Sequence, residues 1–285
     1  MMSQSQSDVL SSLKKHIEKS PLDSTVKGYD LGCILNGYAL MYKLTGDKFF
    51  FDQIKSYIDS VSFEKGNFDV FYLGLSISFL FDETKEDKYK DLAFCIKDRL
   101  LEFEGYIQKA SCSDLIESIK EYMPFYVDFE TRWNKKNGYN DICDKFKNAA
   151  ELISRDKTSS ISLEKRIGFL KTLVDSLSVL SIQIYEDYRL LEDILRQGIK
   201  ELFFGQEDFD KALSLDCTDK MMSAYILYRS IKEGHVDAEK YESLARLLYD
   251  SALQKEDYND PGYVGAFMMA TAFCEEYMGC IYNLF

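Results

Sequence analysis

The sequence predicts an all-α protein, an (α/α)6 barrel in which about twelve helices form a toroid of six hairpins across one domain, residues 1–285. Three observations predict it. Apolar residues recur at spacings of three and four along nearly the whole chain, and the alternation of a half-buried strand is hard to find. Proline is confined to Pro21, Pro124 and Pro261, so little interrupts long helices. A local pattern also repeats: a helix ends, a short polar turn follows, and an aromatic opens the next helix. The aromatics Phe49, Tyr89, Tyr139, Tyr188 and Tyr241 fall 40, 50, 49 and 53 residues apart. A period of that length holds two helices per unit and indicates stacked helical hairpins.

The helical spans follow in order. An N-terminal segment, 6–19, carries His16. Segment 29–44 is apolar and small on every face (Leu31-Gly32-Cys33-Ile34-Leu35). It ends at the turn Thr45-Gly46-Asp47-Lys48, after which 49–60 opens on Phe49. Segment 68–82 is again apolar all round (Leu73-Gly74-Leu75-Ser76-Ile77). The turn Lys85-Glu86-Asp87-Lys88 leads into the amphipathic 88–102. Segment 113–132 ends near Trp133, and Lys136-Asn137-Gly138 precedes 139–154. Segments 162–183 and 188–203 meet at Tyr185-Glu186-Asp187. Segments 217–232 and 238–254 meet at Gly234 to Asp237. The last, 262–281, contains Val264-Gly265-Ala266-Phe267-Met268. A helix apolar on all sides is buried on all sides, and an amphipathic one is half solvated. Inner and outer helices therefore alternate. The last inner helix lacks an outer partner and the N-terminal helix is the spare one, so joining the two ends closes a ring.

Composition excludes several functions. A net charge of −13 opposes binding to nucleic-acid phosphates and to anionic membrane surfaces. No apolar run is long enough to span a bilayer, and no apolar core follows Met1 to Val9 as in a secretory signal. The seven cysteines are scattered without a CxxC pair and read as small buried residues in a reducing, cytoplasmic setting. Two histidines, His16 and His235, have no chemical company in sequence, so neither a metal site nor a Ser-His-Asp triad is expected, and no cofactor. The 20 tyrosines and 20 phenylalanines lie mostly at helical spacing on apolar faces and read as core.

In such a ring the inner helices run the same way, and their N-termini converge on one mouth. The residues there are Tyr29 and Asp30, then Asn67 and Asp69, Asp114 and Glu117, Glu164 to Arg166, Asp216 and Asp219, and finally Asp257, Asn259 and Asp260. Each carboxylate suits a helix start as a cap. Together they form an acidic rim with one basic pair, which suits a polyhydroxylated ligand.

Several of these stretches resemble the unsaturated rhamnogalacturonyl and unsaturated glucuronyl hydrolases, glycoside hydrolase families 105 and 88. Tyr29-Asp30-Leu31-Gly32 followed by Leu44-Thr45-Gly46-Asp47-Lys48-Phe49 is similar to the family's W-x-Y-x-x-G and T-G-D-x-x-Y. Leu115-Ile116-Glu117-Ser118 with Pro124-Phe125 resembles W-L-D-G-L-Y-M-x-x-P-F. Gly262-Tyr263-Val264-Gly265-Ala266-Phe267 resembles G-x-G-A-F. The resemblance implies the six-hairpin fold and a hydration of the C4–C5 double bond of an unsaturated uronic sugar. It places Asp69 and Glu117 as the acid/base pair, with Tyr29, Asp30, Arg166 and Asp219 as candidates for holding the oligosaccharide. The chain departs from the pattern in having Lys27 for an aromatic, Glu for Asp at 117, a short Leu101–Cys112 connection and only a remnant, Arg166-Ile167-Gly168-Phe169, of W-G-R-G-N-G-W. Two functions are therefore carried forward: a hydrolase acting on unsaturated uronyl oligosaccharides, and a non-catalytic member of the fold that binds a carbohydrate or a protein.

Overall fold

The computed structural model describes residues 4–19, 22, 25, 26, 28–63, 69–107, 112–156, 161–203, 213–255 and 257–282. Among them lie twelve α-helices and no strand. They are α1 (Gln4–Lys19), α2 (Gly28–Thr45), α3 (Lys48–Ser60), α4 (Gly74–Thr84), α5 (Asp87–Ile107), α6 (Cys112–Arg132), α7 (Tyr139–Arg155), α8 (Leu163–Val179), α9 (Tyr185–Phe203), α10 (Cys217–Lys232), α11 (Ala238–Leu253) and α12 (Pro261–Tyr282). Two boundaries differ from expectation. The stretch expected to begin a helix at 68 first makes a 3-10 turn, Asp69–Leu73. The helix expected to run to 183 stops at Val179, where Leu180 turns extended and buries its side chain inward.

The even-numbered helices form the inner ring. Helix α2 packs on α4, α4 on α6, α6 on α8, α8 on α10, α10 on α12, and α12 returns to α2. Helices α3, α5, α7, α9 and α11 each lie outside the inner helix that precedes them. The sequence pattern explains the division. Helix α9 buries only Leu191, Leu195, Ile199 and Phe203, one stripe at a spacing of four. In α10 every residue from Met221 to Ile231 is buried. Helix α1 sits across the join: Lys14 pairs with Asp47 at the start of α3, and the His16 ring lies 5.5 Å from that of Tyr258, just before α12.

The repeated turn is a repeated set of hydrogen bonds. After α2, Gly46 adopts a left-handed φ of 67° and its N–H donates to Tyr42 O at 2.8 Å. After α4, Lys85 takes the same role with φ 58° and donates to Phe81 O at 2.9 Å. In both turns a threonine, Thr45 or Thr84, donates back to the fourth residue before it and accepts the N–H of the second residue after it. Left-handed backbone at this position closes a helix by satisfying its last carbonyls.

The ring closes through two glycines. A side chain at Gly265 of α12 would meet the backbone of Cys33 and Ile34 at 2.8 Å. One at Gly37 of α2 would meet Met268 Cβ at 2.8 Å. Backbones that approach this closely leave no space for a methyl group, and backbone cannot step aside as a side-chain tip can. Gly265→Ala is therefore expected to destabilise the protein by about 2–3 kcal/mol. A shift of the urea midpoint with an unchanged slope would show it; an unshifted midpoint would mean that the seam yields.

Candidate functional site

The mouth holds a half-open cavity of about 480 Å³. Tyr29 and Asp30 enter it from α2, Lys120 from α6, Glu164 and Gly168 from α8, Asp216 to Asp219 from the start of α10, and Asp257 and Asp260 from the turn before α12. The fold thus brings Tyr29, Asp30 and Asp219 to one cavity. Asp69 opens the 3-10 turn, but its side chain, like those of Asn67 and Asp114, lies outside the described residues. Glu117 is at the edge of the mouth, with one carboxylate oxygen 2.9 Å from Lys120 Nζ and the other 3.5 Å from Lys165 Nζ.

Arg166 is not brought to the mouth. Its guanidinium pairs with Asp156 at 3.3 Å and faces a second cavity, of about 440 Å³, between α7, α8 and α9. The reason is angular. Successive residues on a helix are about 100° apart, so a residue two beyond Glu164 points to nearly the opposite side. A cation that does face the mouth is Lys120, which the sequence did not single out. Its stem is buried and its ammonium lies 4.7 Å from the centre of the Tyr29 ring. Gly168 makes room for it, since a Cβ there would stand 2.8 Å from Lys120 Cδ and Cε. Nothing local in the sequence marks that fit, because the glycine and the lysine belong to different helices.

The mouth is crowded with negative charge: six carboxyls, Asp30, Glu164, Asp216, Asp219, Asp257 and Asp260, face two lysines, Lys120 and Lys255. Some are tied down. Asp216 caps α10 by accepting the Asp219 N–H at 2.8 Å. Asp260 accepts Thr218 Oγ1 at 2.6 Å and the Gly262 N–H at 3.0 Å. Asp219 is different. Its carboxyl makes no hydrogen bond or ion pair among the described residues. Burial, and then the nearby Asp216 and Glu164, push its pKa up to about 7, with Lys120 opposing them. Burial and Asp260 raise Asp30 in the same direction, again with Lys120 opposing.

Beneath the mouth the barrel axis is filled with paired charge. Lys171 Nζ lies 2.9 Å from Asp175, whose other oxygen meets Arg229 at 2.7 Å and accepts the Tyr225 hydroxyl. Arg229 also reaches Glu233 at 2.9 Å. Buried His235 lies between Glu233 and Glu192, at 3.2 and 3.1 Å, on the side away from the mouth. Burial pushes Glu233 up, but His235 and Arg229 outweigh it and hold the carboxyl below its usual range. Trp133 also lies away from the mouth, packed among Phe81, Phe94 and Phe129. Among the described residues no group of His, Cys, Asp and Glu is arranged to hold a metal ion, and no helix is long and apolar enough to cross a membrane.

The Asp219 environment has a thermodynamic consequence. A carboxyl whose pKa is raised in the folded state binds a proton more readily there than in the unfolded chain, so stability falls as pH rises from about 4 to about 7. Asp219→Asn removes that term. The variant is expected to be more stable than the parent by about 2 kcal/mol at pH 8, after allowance for solvent in the cavity, and equal to it at pH 4. Thermal melts at the two pH values test this, and an equal difference at both would refute it.

No family model matches the chain, and no curated protein matches it in sequence. Solved structures do. A family 105 glycoside hydrolase from C. acetobutylicum superposes with a TM-score of 0.70 at 17% identity, over 93% of this chain and 98% of that one. A polysaccharide lyase gives 0.69 at 12% identity, over 97% and 99%. A family 88 glycosyl hydrolase from Bacteroides vulgatus gives 0.63 at 12% identity, over 95% and 99%. At these identities the likeness is one of fold, and the fold is the six-hairpin toroid of these glycan-cleaving enzymes.

Proposed function

We propose that the mouth of the ring binds, and acts on, an oligosaccharide ending in an unsaturated uronic acid. The observation that carries this reading is the half-open cavity of about 480 Å³ into which polar groups converge from α2, α6, α8, α10 and the turn before α12. Its volume falls in the range of small-ligand sites, and its carboxylates suit the hydroxyl donors of a sugar. The similar solved structures add support, since their names describe hydrolases and a lyase of glycans. Lys120 is placed to receive the sugar carboxylate. In doing so it would release Glu117, which it now pairs with at 2.9 Å.

In this reading Asp69 and Glu117 form the acid/base pair. A proton is delivered to C4 of the C4–C5 double bond, water adds at C5, and the water's second proton returns to the carboxylate. The hydrated ring then opens and the glycosidic bond is lost. Water and sugar supply every atom, so no cofactor enters.

The test is direct. Hydration of an unsaturated uronyl disaccharide removes the absorbance of its conjugated double bond. The protein is expected to cause that loss, and Glu117→Gln to slow it at least about a hundredfold with an unchanged melting profile. No loss at high protein concentration between pH 4 and 8 would end the hydrolase reading. The ion pairs that occupy Glu117 on both oxygens favour one second reading, a non-catalytic sugar-binding protein. Binding of the disaccharide without loss of absorbance would distinguish it.

A further inference from the structure

A charged sugar meets an electrostatic obstacle at the mouth. A uronyl sugar brings a carboxylate into a cavity that already holds six carboxyls and two lysines. Lys120 attracts it from α6 and is already shared with Glu117. Lys255 is exposed, and water screens it. Asp30, Glu164, Asp216 and Asp257 are more exposed than Asp219, although partial burial and Asp260 raise Asp30 as well. Asp260 is already engaged as an acceptor by the Thr218 hydroxyl and the Gly262 N–H. That leaves Asp219 as the half-buried carboxyl which, among the described residues, has no donor to hold its charge.

We propose that Asp219 determines whether the mouth accepts charged sugars: it takes up a proton as a sugar carboxylate enters, so that one negative charge replaces another. This rests on the preceding reading that the mouth takes a uronyl sugar. The reason is linkage. A second anion beside a carboxyl that is already short of positive partners favours its neutral form. Proton uptake and anion binding then strengthen each other by the same factor. The neutral carboxyl gains a donor, which it can offer to the sugar carboxylate or to a hydroxyl. Asp219's position near half-protonation at neutral pH makes the exchange inexpensive. An uncharged sugar poses no such demand and binds without moving a proton.

The experiment is calorimetric titration with an unsaturated glucuronyl disaccharide and with its methyl ester, which lacks the charge. At pH 7.5, in two buffers of different ionisation heat, the acid is expected to bind with uptake of about half a proton and the ester with none. Between pH 6 and 8.5 affinity for the acid should fall about tenfold or more, while that for the ester stays level. In Asp219→Asn the uptake should vanish and the pH dependence flatten, with melting at pH 4 unchanged. Binding of the acid without proton uptake overturns the proposal, as does uptake that survives in Asp219→Asn. If neither sugar binds, the mouth reading itself fails and takes this inference with it. Should Asp219→Asn not fold, the acid-against-ester comparison in the parent protein still decides.

Discussion

The approach of α2 to α12 is the constraint on which the ring rests. Every other pair of neighbours in the inner ring is consecutive along the chain, with one outer helix between them. These two meet across the full length of the sequence, with Asn36 donating to the Met269 sulfur over a separation of 233 residues. The meeting depends on the absence of side chains at Gly37 and Gly265. A wider seam would part the starts of α2 and α12, and with them Tyr29, Asp30 and Asp260, which share a cavity only because the ring is shut. Asp30 lies close enough to Asp260 to feel its charge. The electrostatics of the mouth are therefore set by a packing detail further down the same two helices.

Two electrostatic regimes lie along one axis. In the barrel interior, Asp175 has Lys171 and Arg229 within pairing distance and Arg229 has Glu233, so each buried charge finds an opposite one. Such pairs contribute little net stability, because desolvation offsets their attraction, but the loss of one member leaves the other stranded. At the mouth the balance is broken and carboxyls outnumber cations. Solvent relieves most of them, while half-buried Asp219 keeps its excess. The buried network links α8 to α10, and the unbalanced rim is where a ligand can change the charge state. Tyr29 separates the two zones, with Lys120 at 4.7 Å and Lys171 at 5.1 Å from its ring centre.

Much of the fold was legible because it is written in short-range patterns. The all-apolar inner segments and single-stripe outer ones needed only the helical period, and the repeated turn needed only Thr45-Gly46-Asp47 and its counterpart at Thr84. The 3-10 turn at Asp69–Leu73 and the early stop at Val179 escaped because propensity alone does not mark them. At the site, convergence of Tyr29, Asp30, Glu164, Asp216 and Asp219 followed from their places at helix starts. The side on which each points did not. Arg166 could have been set apart by its angle from Glu164. Lys120 could not, since the gap that admits it is Gly168 on another helix. The raised Asp219 was likewise hidden, because it depends on Glu164, Asp216 and Lys120 meeting in space.

The seam also bears on how the chain comes into being. Synthesis runs from one end, so α2 leaves the ribosome long before α12 exists. Through that interval the face of α2 around Cys33, Ile34 and Gly37 has no native cover, and each new hairpin adds to an arc that cannot shut. Contacts of such long sequence separation form slowly and late. Even with the last helix made, the loop between partners is nearly as long as the protein. The circle is completed as a final act, and until then the nascent arc carries an open, apolar end that the finished molecule never shows.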